Sequence, residues 1–333
     1  MEKVAVVLFN LGGPDCPEAV EPFLFNLFND RAIIGVPQPF RWLLAKLISR
    51  RRAPIARAIY QRIGGRSPLL PETEAQARAL EAALGAGFRV FIAMRYWHPF
   101  TAEAVAEIKA WGAKRVILLP LYPQYSTTTT QSSLACWYRE AARAGLIARV
   151  ETICCYQVEP GMISGFAEGV TTALTEASKA GAVRVLFSAH GLPKKVVDRG
   201  DPYPGQVVQT AAAVATASGA GAWVVCYQSR VGPLEWIGPS LETELERAAR
   251  DRVGVVVVPI AFVSEHSETL VELDIEYRHR AEALGVPNYI RVPAIGCHPS
   301  FIGGLADLVR QPGACRGLAC IDAGRGRICR EGS

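Results

Sequence analysis

Seven short, almost wholly apolar runs punctuate this chain, at residues 4–9, 89–94, 115–119, 149–154, 183–187, 223–226 and 253–258, with longer helix-patterned stretches between them. A strand with one wet face alternates apolar and polar residues; a run without alternation reads as buried on both faces. Such strands, alternating with helices, build parallel sheets covered on both sides, which is the α/β class with Rossmann-like units. The 333 residues suffice for two domains of ordinary size. The rhythm breaks near residues 150–160. The expected division is a first domain over residues 1–150, a second over 151–294, and an irregular tail rich in Gly, Arg and Cys over 311–333.

Half of the residues are apolar and a fifth are charged, as in a packed protein. The net charge of +5 suits acidic ligands or a membrane surface, but does not mark a nucleic-acid binder. Met1-Glu2-Lys3 runs straight into the first strand-like segment, so no secretory signal is expected. No apolar run approaches the length of a transmembrane helix. Nine cysteines, several in strand-like or helical segments, argue against a disulfide framework and for a reducing cytoplasm.

Ligands of open α/β sheets bind beyond the carboxyl ends of the strands. Three of the five histidines fall at such exits: His98, His190 and His266. His190 stands on a tight Ser-Ala-His-Gly-Leu-Pro turn. The segment after the last run holds Glu265 and His266, then Glu268, Glu272 and Glu276 at four-residue spacing. On a helix capped by Ser264 these three would line one face. Like charges so placed destabilise a helix by roughly 0.2–0.5 kcal/mol per pair. Either solvent and a nearby cation offset that, or the row is a track for a divalent ion. Residues 37–52 carry an apolar stripe of Trp42, Leu43, Leu44, Leu47 and Ile48, followed by Arg50, Arg51 and Arg52. This reads either as a packed helix with a basic end or as a lip for an apolar ligand or membrane. No G-x-G-x-x-G follows a strand, no P-loop occurs and no nucleophile elbow or H-E-x-x-H is present. No nucleotide cofactor is therefore expected.

Six strings in register, NLGGP (10–14), YPQYS (122–126), SAHGLP (188–193), RGDPYP (199–204), QSRVGP with EWIGP (228–239) and SEHSETLVELDIEY (264–277), resemble the ferrochelatase family. The resemblance covers about residues 3–310. It implies two Rossmann-like domains without nucleotide and a porphyrin cleft between them, with residues 295–310 packing back on the first domain. It implies insertion of Fe(II) into protoporphyrin IX, the last step of haem synthesis. His190 matches the family's motif histidine, taking pyrrole protons from one face of the macrocycle. Glu268 matches its paired carboxylate on the other face. Glu272 and Glu276 would extend a path for metal or protons, which makes His190, Glu268, Glu272 and Glu276 the candidate metal residues. His266 would hold the glutamates in place.

Leu11, Tyr122 and Trp236 are candidate walls of a cleft that bends the macrocycle. Arg95, Tyr125, Ser126, Gln228, Ser229 and Arg230 are candidate polar groups of the pocket. The apolar Leu11, where relatives acting on coproporphyrin carry Tyr, points to protoporphyrin IX. The lip fits peripheral contact with the inner membrane. Cys315, Cys320 and Cys329 match the tail thiolates by which some relatives hold a [2Fe–2S] cluster. A fourth thiolate is needed. Thr127 stands where the animal proteins place it, leaving Cys136, Cys154 or Cys155; the alternative is tail cysteines without a cluster. Cys16, Cys226 and Cys297 read as small buried residues. A chelatase for another metal or tetrapyrrole, and a haem carrier without activity, are the competing readings. The acidic row speaks against the carrier.

Overall fold

The computed structural model describes residues 2–229 and 234–312. They fall into two compact units, residues 2–154 with 308–312, and residues 155–307.

The first unit holds a four-stranded parallel sheet of β1 (Val4–Asn10), β2 (Phe88–Met94), β3 (Arg115–Pro120) and β4 (Arg149–Thr152), in the order β2-β1-β3-β4. The second repeats the pattern with β5 (Val183–His190), β6 (Trp223–Gln228), β7 (Gly254–Pro259) and β8 (Tyr289–Arg291), in the order β6-β5-β7-β8, again parallel. β1 and β7 are buried at every position. Helices on both faces leave no wet side, which is why their sequences do not alternate. Val7, Phe9, Val116 and Leu118 pack with Trp137 and Ile108 in the first core. Val255, Val257, Leu186 and Leu245 share the second.

The strand ends differ from the sequence expectation in a way that matters for the site. β5 runs on to His190 and β6 to Gln228, and these two residues are paired in register. Polar residues end the apolar run without ending the ladder. The edge strand β8 has no counterpart among the expected runs, because three residues including an arginine carry no periodicity. Residues 155–307 fold together, so the segment expected to return to the first domain from residue 295 does so only from Leu308. The reason is close packing on the Pro160–Ala177 helix. A Cβ on Gly161 would strike the Ser300 carbonyl, and one on Gly165 would strike Ile295 and His298.

After β7 the expected helix begins later and takes another form. Ser264 does not cap it. The chain enters a π-helix over Glu268–Tyr277, which continues as an α-helix over Arg278–Leu284. Thr269 makes the local turn: its Oγ1 accepts the His266 N–H at 3.0 Å and donates to the His266 carbonyl at 3.0 Å. π-Helical turns are rare and gather at functional sites.

The stripe in residues 37–52 lies on a long helix, Phe40–Gln61. Its buried face is a row of small residues, Ala45, Ser49 and Ala53, with Tyr60 in the last turn. The large apolar side chains point outward, with Phe40 66 % and Leu43 57 % exposed, and Trp42, Leu44 and Leu47 beside them. Among the described residues, no helix is long and apolar enough to cross a membrane.

Candidate active site

A sheet ordered 2-1-3-4 reverses direction between its first and third strands, and the crevice beyond those two strand ends is the natural ligand position. In the second unit the strands are β5 and β7. β5 delivers His190. β7 delivers Glu265, His266 and, at the start of the π-helix, Glu268.

The His190 Nδ1 lies 2.6 Å from the Gly191 carbonyl. A carbonyl only accepts, so Nδ1 carries a proton, and in the neutral ring Nε2 then presents the lone pair. Nε2 is 3.8 Å from Glu268 Oε1. On the other side of that carboxylate, His266 Nε2 is 3.6 Å from Glu268 Oε2. The buried His266 ring packs against Phe262 at 4.6 Å. The Trp236 ring lies 6.4 Å from that of His190, tilted by 59°.

This arrangement corrects the expectation of opposing faces. Groups on either side of a flat ring must stand about 7 Å apart, twice the usual non-bonded separation. His190 and Glu268 are nearly in contact, so a macrocycle cannot lie between them. They follow neighbouring strands and stand side by side.

A second network ties the acidic row to the sheet. Gln228 is fully buried. Its Nε2 donates to the Glu268 carbonyl and to Glu272 Oε2, each at 3.0 Å, and its Oε1 accepts from Ser188 Oγ at 2.7 Å. Ser229 also donates its hydroxyl to Glu272 Oε2. Its φ of 64° lies in the left-handed region, where a non-glycine residue is held only by its surroundings. Gln228 and Ser229, expected to line the pocket, thus hold a glutamate. Glu276 lies further along the helix and is exposed.

The electrostatics separate the first two glutamates. Burial pushes Glu268 up, but the charge of His190 and the hydrogen bond and charge of His266 outweigh it and hold the carboxyl at about 2. Glu272 moves the other way. Burial and the Glu268 charge raise it, and its bonds from Ser229 and Gln228 only partly compensate. One carboxylate stays ionised, and its neighbour takes up a proton more readily than an ordinary glutamate.

The remaining site candidates belong to the first unit. Leu11 follows β1 and packs, half-buried, against two clusters of the first unit, one around Phe9 and Tyr122, the other around Phe23 and Tyr96. Tyr122, Tyr125 and Ser126 follow β3 and are buried. The Ser126 hydroxyl bonds Thr128 through its Oγ1, at 2.9 Å, and its N–H, at 3.1 Å. Arg95 is already engaged. It donates to Asp30 at 2.8 Å and to Ser132 at 2.8 Å. Asp30 also accepts from Tyr96, from Ser132 and from the Ala32 N–H. Those nitrogens of Arg95 are not free for a propionate. Arg230 lies outside the described residues, as do Cys315, Cys320 and Cys329. Of the body cysteines, Cys136, Cys154 and Cys155 are buried, whereas Cys297 is exposed, contrary to expectation. Among the described residues no group of three or more His, Cys, Asp or Glu side chains is gathered into a metal cage.

Burial raises Asp30, and the Arg95 charge with the bonds from Ser132, Ala32 and Tyr96 more than reverses it, leaving its carboxyl below the usual range. A lowered value means stability that is present above the ordinary carboxyl range and lost as the pH falls through it. Asp30→Asn leaves the Arg95 charge without its partner and is expected to cost about 3–5 kcal/mol, measured by denaturant unfolding at neutral pH. The difference from the parent should shrink in acid.

Sequence reasoning passed over Asp30, Ser132, Ser188 and Tyr203. Tyr203 is buried and bonds the backbone of His190. The RGDPYP string contains it, but only the fold shows what it touches. Ser188 likewise lies in the SAHGLP string without showing its partner, and Asp30 and Ser132 carried no signal, because each acts on a partner distant in sequence.

Comparison with known proteins identifies the family. The family model described as ferrochelatase matches residues 3–312. A curated relative from Caulobacter vibrioides named "Ferrochelatase" is 53 % identical over 347 residues, covering 100 % of this chain and 99 % of that one. A second, from Phenylobacterium zucineum, bears the same name and is 52 % identical over 342 residues, with 99 % of each chain covered. Among solved structures, the sirohydrochlorin chelatase SirB from Bacillus subtilis subspecies spizizenii, in complex with cobalt, superposes with a TM-score of 0.51 at 15 % identity. It covers 93 % of this chain and 94 % of that one, and it supports the fold alone. The chain belongs to the ferrochelatase family, the metal chelatases that insert iron into a porphyrin in haem synthesis.

Proposed function

We propose that His190 is the general base of iron insertion into protoporphyrin IX, and that Glu268 and Glu272 carry the released protons away. One observation carries this reading: the Gly191 carbonyl fixes the Nδ1–H tautomer, so that Nε2 is free, with an ionised carboxylate 3.8 Å away. A porphyrin loses two pyrrole protons as the divalent metal enters. Nε2 takes each proton in turn, and Glu268 stabilises the imidazolium that forms. Glu272, raised by burial and by its neighbour, is suited to receive the proton next, and the exposed Glu276 stands at the solvent end of the row. Trp236, half-buried beside His190, offers an apolar surface to the ring. Anaerobic mixing with Fe(II) or Zn(II) and protoporphyrin IX, followed by the visible spectrum, tests the reading.

The apolar Leu11 supports protoporphyrin IX over the more acidic coproporphyrin. The expected kcat/KM ratio is at least about tenfold in favour of protoporphyrin, read in parallel assays of the two porphyrins. The outward row of Phe40, Trp42, Leu43 and Leu47, beside Arg50 and Arg51, supports peripheral membrane contact, measured by sedimentation with anionic vesicles.

A further inference from the structure

Arg291 ends β8, the edge strand beside β7, and reaches the segment that carries His266, Glu268 and Glu272 at two points. Its Nη1 donates to Glu265 Oε1 at 2.8 Å, and its Nη2 pairs with Asp274 Oδ2 at 2.7 Å. Glu265 immediately precedes His266, and Asp274 follows Glu272 by two residues. One guanidinium therefore grips the segment at both ends. The grip is firm. The Arg291 side chain is only 8 % exposed, its strand is in register with β7 through Val257, and Glu265 Oε1 also accepts the Ala294 N–H at 2.9 Å. Arg278 adds a weaker hold on Asp274, with Nη2 3.4 Å from Oδ1.

The gripped stretch needs such support. It is π-helical, a form that ordinary sequences do not sustain over many residues. It carries the carboxylates of Glu268 and Glu272 four residues apart, with Gln228 bonded to both residues. Glu265 and Asp274 would add two further negative charges to the same short segment were they not paired. A planar two-pronged cation answers both demands, because it holds two carboxylates at a fixed separation and neutralises them.

We propose that Arg291 is a positioning residue for metal insertion: by bridging Glu265 and Asp274 it sets where His266, Glu268 and Glu272 stand relative to His190. The proposal rests on the roles given above to His190 and Glu268. Arg291 itself is not assigned any contact with porphyrin or metal.

The test uses the full chain in the protoporphyrin IX assay, with melting temperatures recorded alongside. In Arg291→Lys the charge is kept, but a single ammonium cannot bridge both carboxylates. The kcat should fall about tenfold to a hundredfold, with the porphyrin KM within about twofold of the parent. The second variant combines Glu265→Gln, Asp274→Asn and Arg291→Gln. Removing these three charges together leaves no deeply buried ion unpaired, and the half-exposed Arg278 keeps its bonds to the Asp274 and Tyr289 carbonyls, so the melting temperature should return towards that of the parent while kcat stays low. Parental kcat in Arg291→Lys, recovery of kcat together with stability in the triple variant, or failure of both variants to fold would overturn the proposal and leave Arg291 a purely structural residue. His190→Ala, run in the same series, separates the two layers. Its loss of activity beside a fully active Arg291→Lys counts against Arg291 alone, whereas a fully active His190→Ala removes the site assignment on which the proposal stands.

Discussion

His190→Ala is expected to abolish metal insertion, with kcat lowered about 10²–10⁴-fold, the range a positioned general base contributes. The residue ends a strand whose neighbours on both sides are in the same sheet, and it is paired with Gln228 in register. Truncation there removes a ring that is partly open to solvent and leaves the ladder intact, so the fold should survive. Porphyrin affinity should change little, because Trp236 and the rest of the apolar surface remain. Quenching of porphyrin fluorescence on binding, measured beside turnover with Zn(II), distinguishes a lost base from a lost binding site. Turnover at the parental rate would refute the assignment.

Glu268→Gln should lower kcat about a hundredfold, with the porphyrin KM within about twofold. Glutamine fills the same space but cannot stabilise an imidazolium or pass a proton on. Two imidazoles, at 3.8 and 3.6 Å, lose the anion they share. The same substitution has a signature in stability. Glu268 titrates at about 2 in the folded protein, because the two histidines overcome the effect of burial. An unfolded glutamate titrates near about 4.3. Between these values the unfolded chain binds more protons than the folded one, so the contribution of Glu268 is present above about pH 4.3 and is lost as the pH falls towards about 2. Glu268→Gln lacks that dependence. Its melting temperature should fall less than the parent's between about pH 5 and pH 3, which differential scanning calorimetry in matched buffers measures.

The two catalytic candidates were legible for different reasons. His190 stood out because a strand exit with a tight glycine–proline turn places a side chain where α/β sheets bind ligands. The acidic row stood out by spacing alone. Spacing could not say that the row is π-helical, that Gln228 and Ser229 hold Glu272, or that Arg291 grips both ends of the segment. The last two of those facts depend on partners between 17 and 44 residues apart in the chain. Arg95 illustrates the same limit. As a residue at a strand exit it was a candidate polar group of the pocket, yet Asp30, 65 positions away, already engages it.

The order of apolar runs determined the architecture by itself, because strands buried on both faces must be continuous in hydrophobicity and must be joined by covering helices. It likewise determined which loops lie at the carboxyl edges, and so which residues could meet. Only the tertiary structure decided how they meet. It set His190 and Glu268 side by side, because Gln228, paired in register with His190, holds the Glu268 carbonyl at the start of the π-helix and leaves no room for a flat ring between the two side chains. Orientation of that kind belongs to the packing of the sheet and has no periodic trace along the chain.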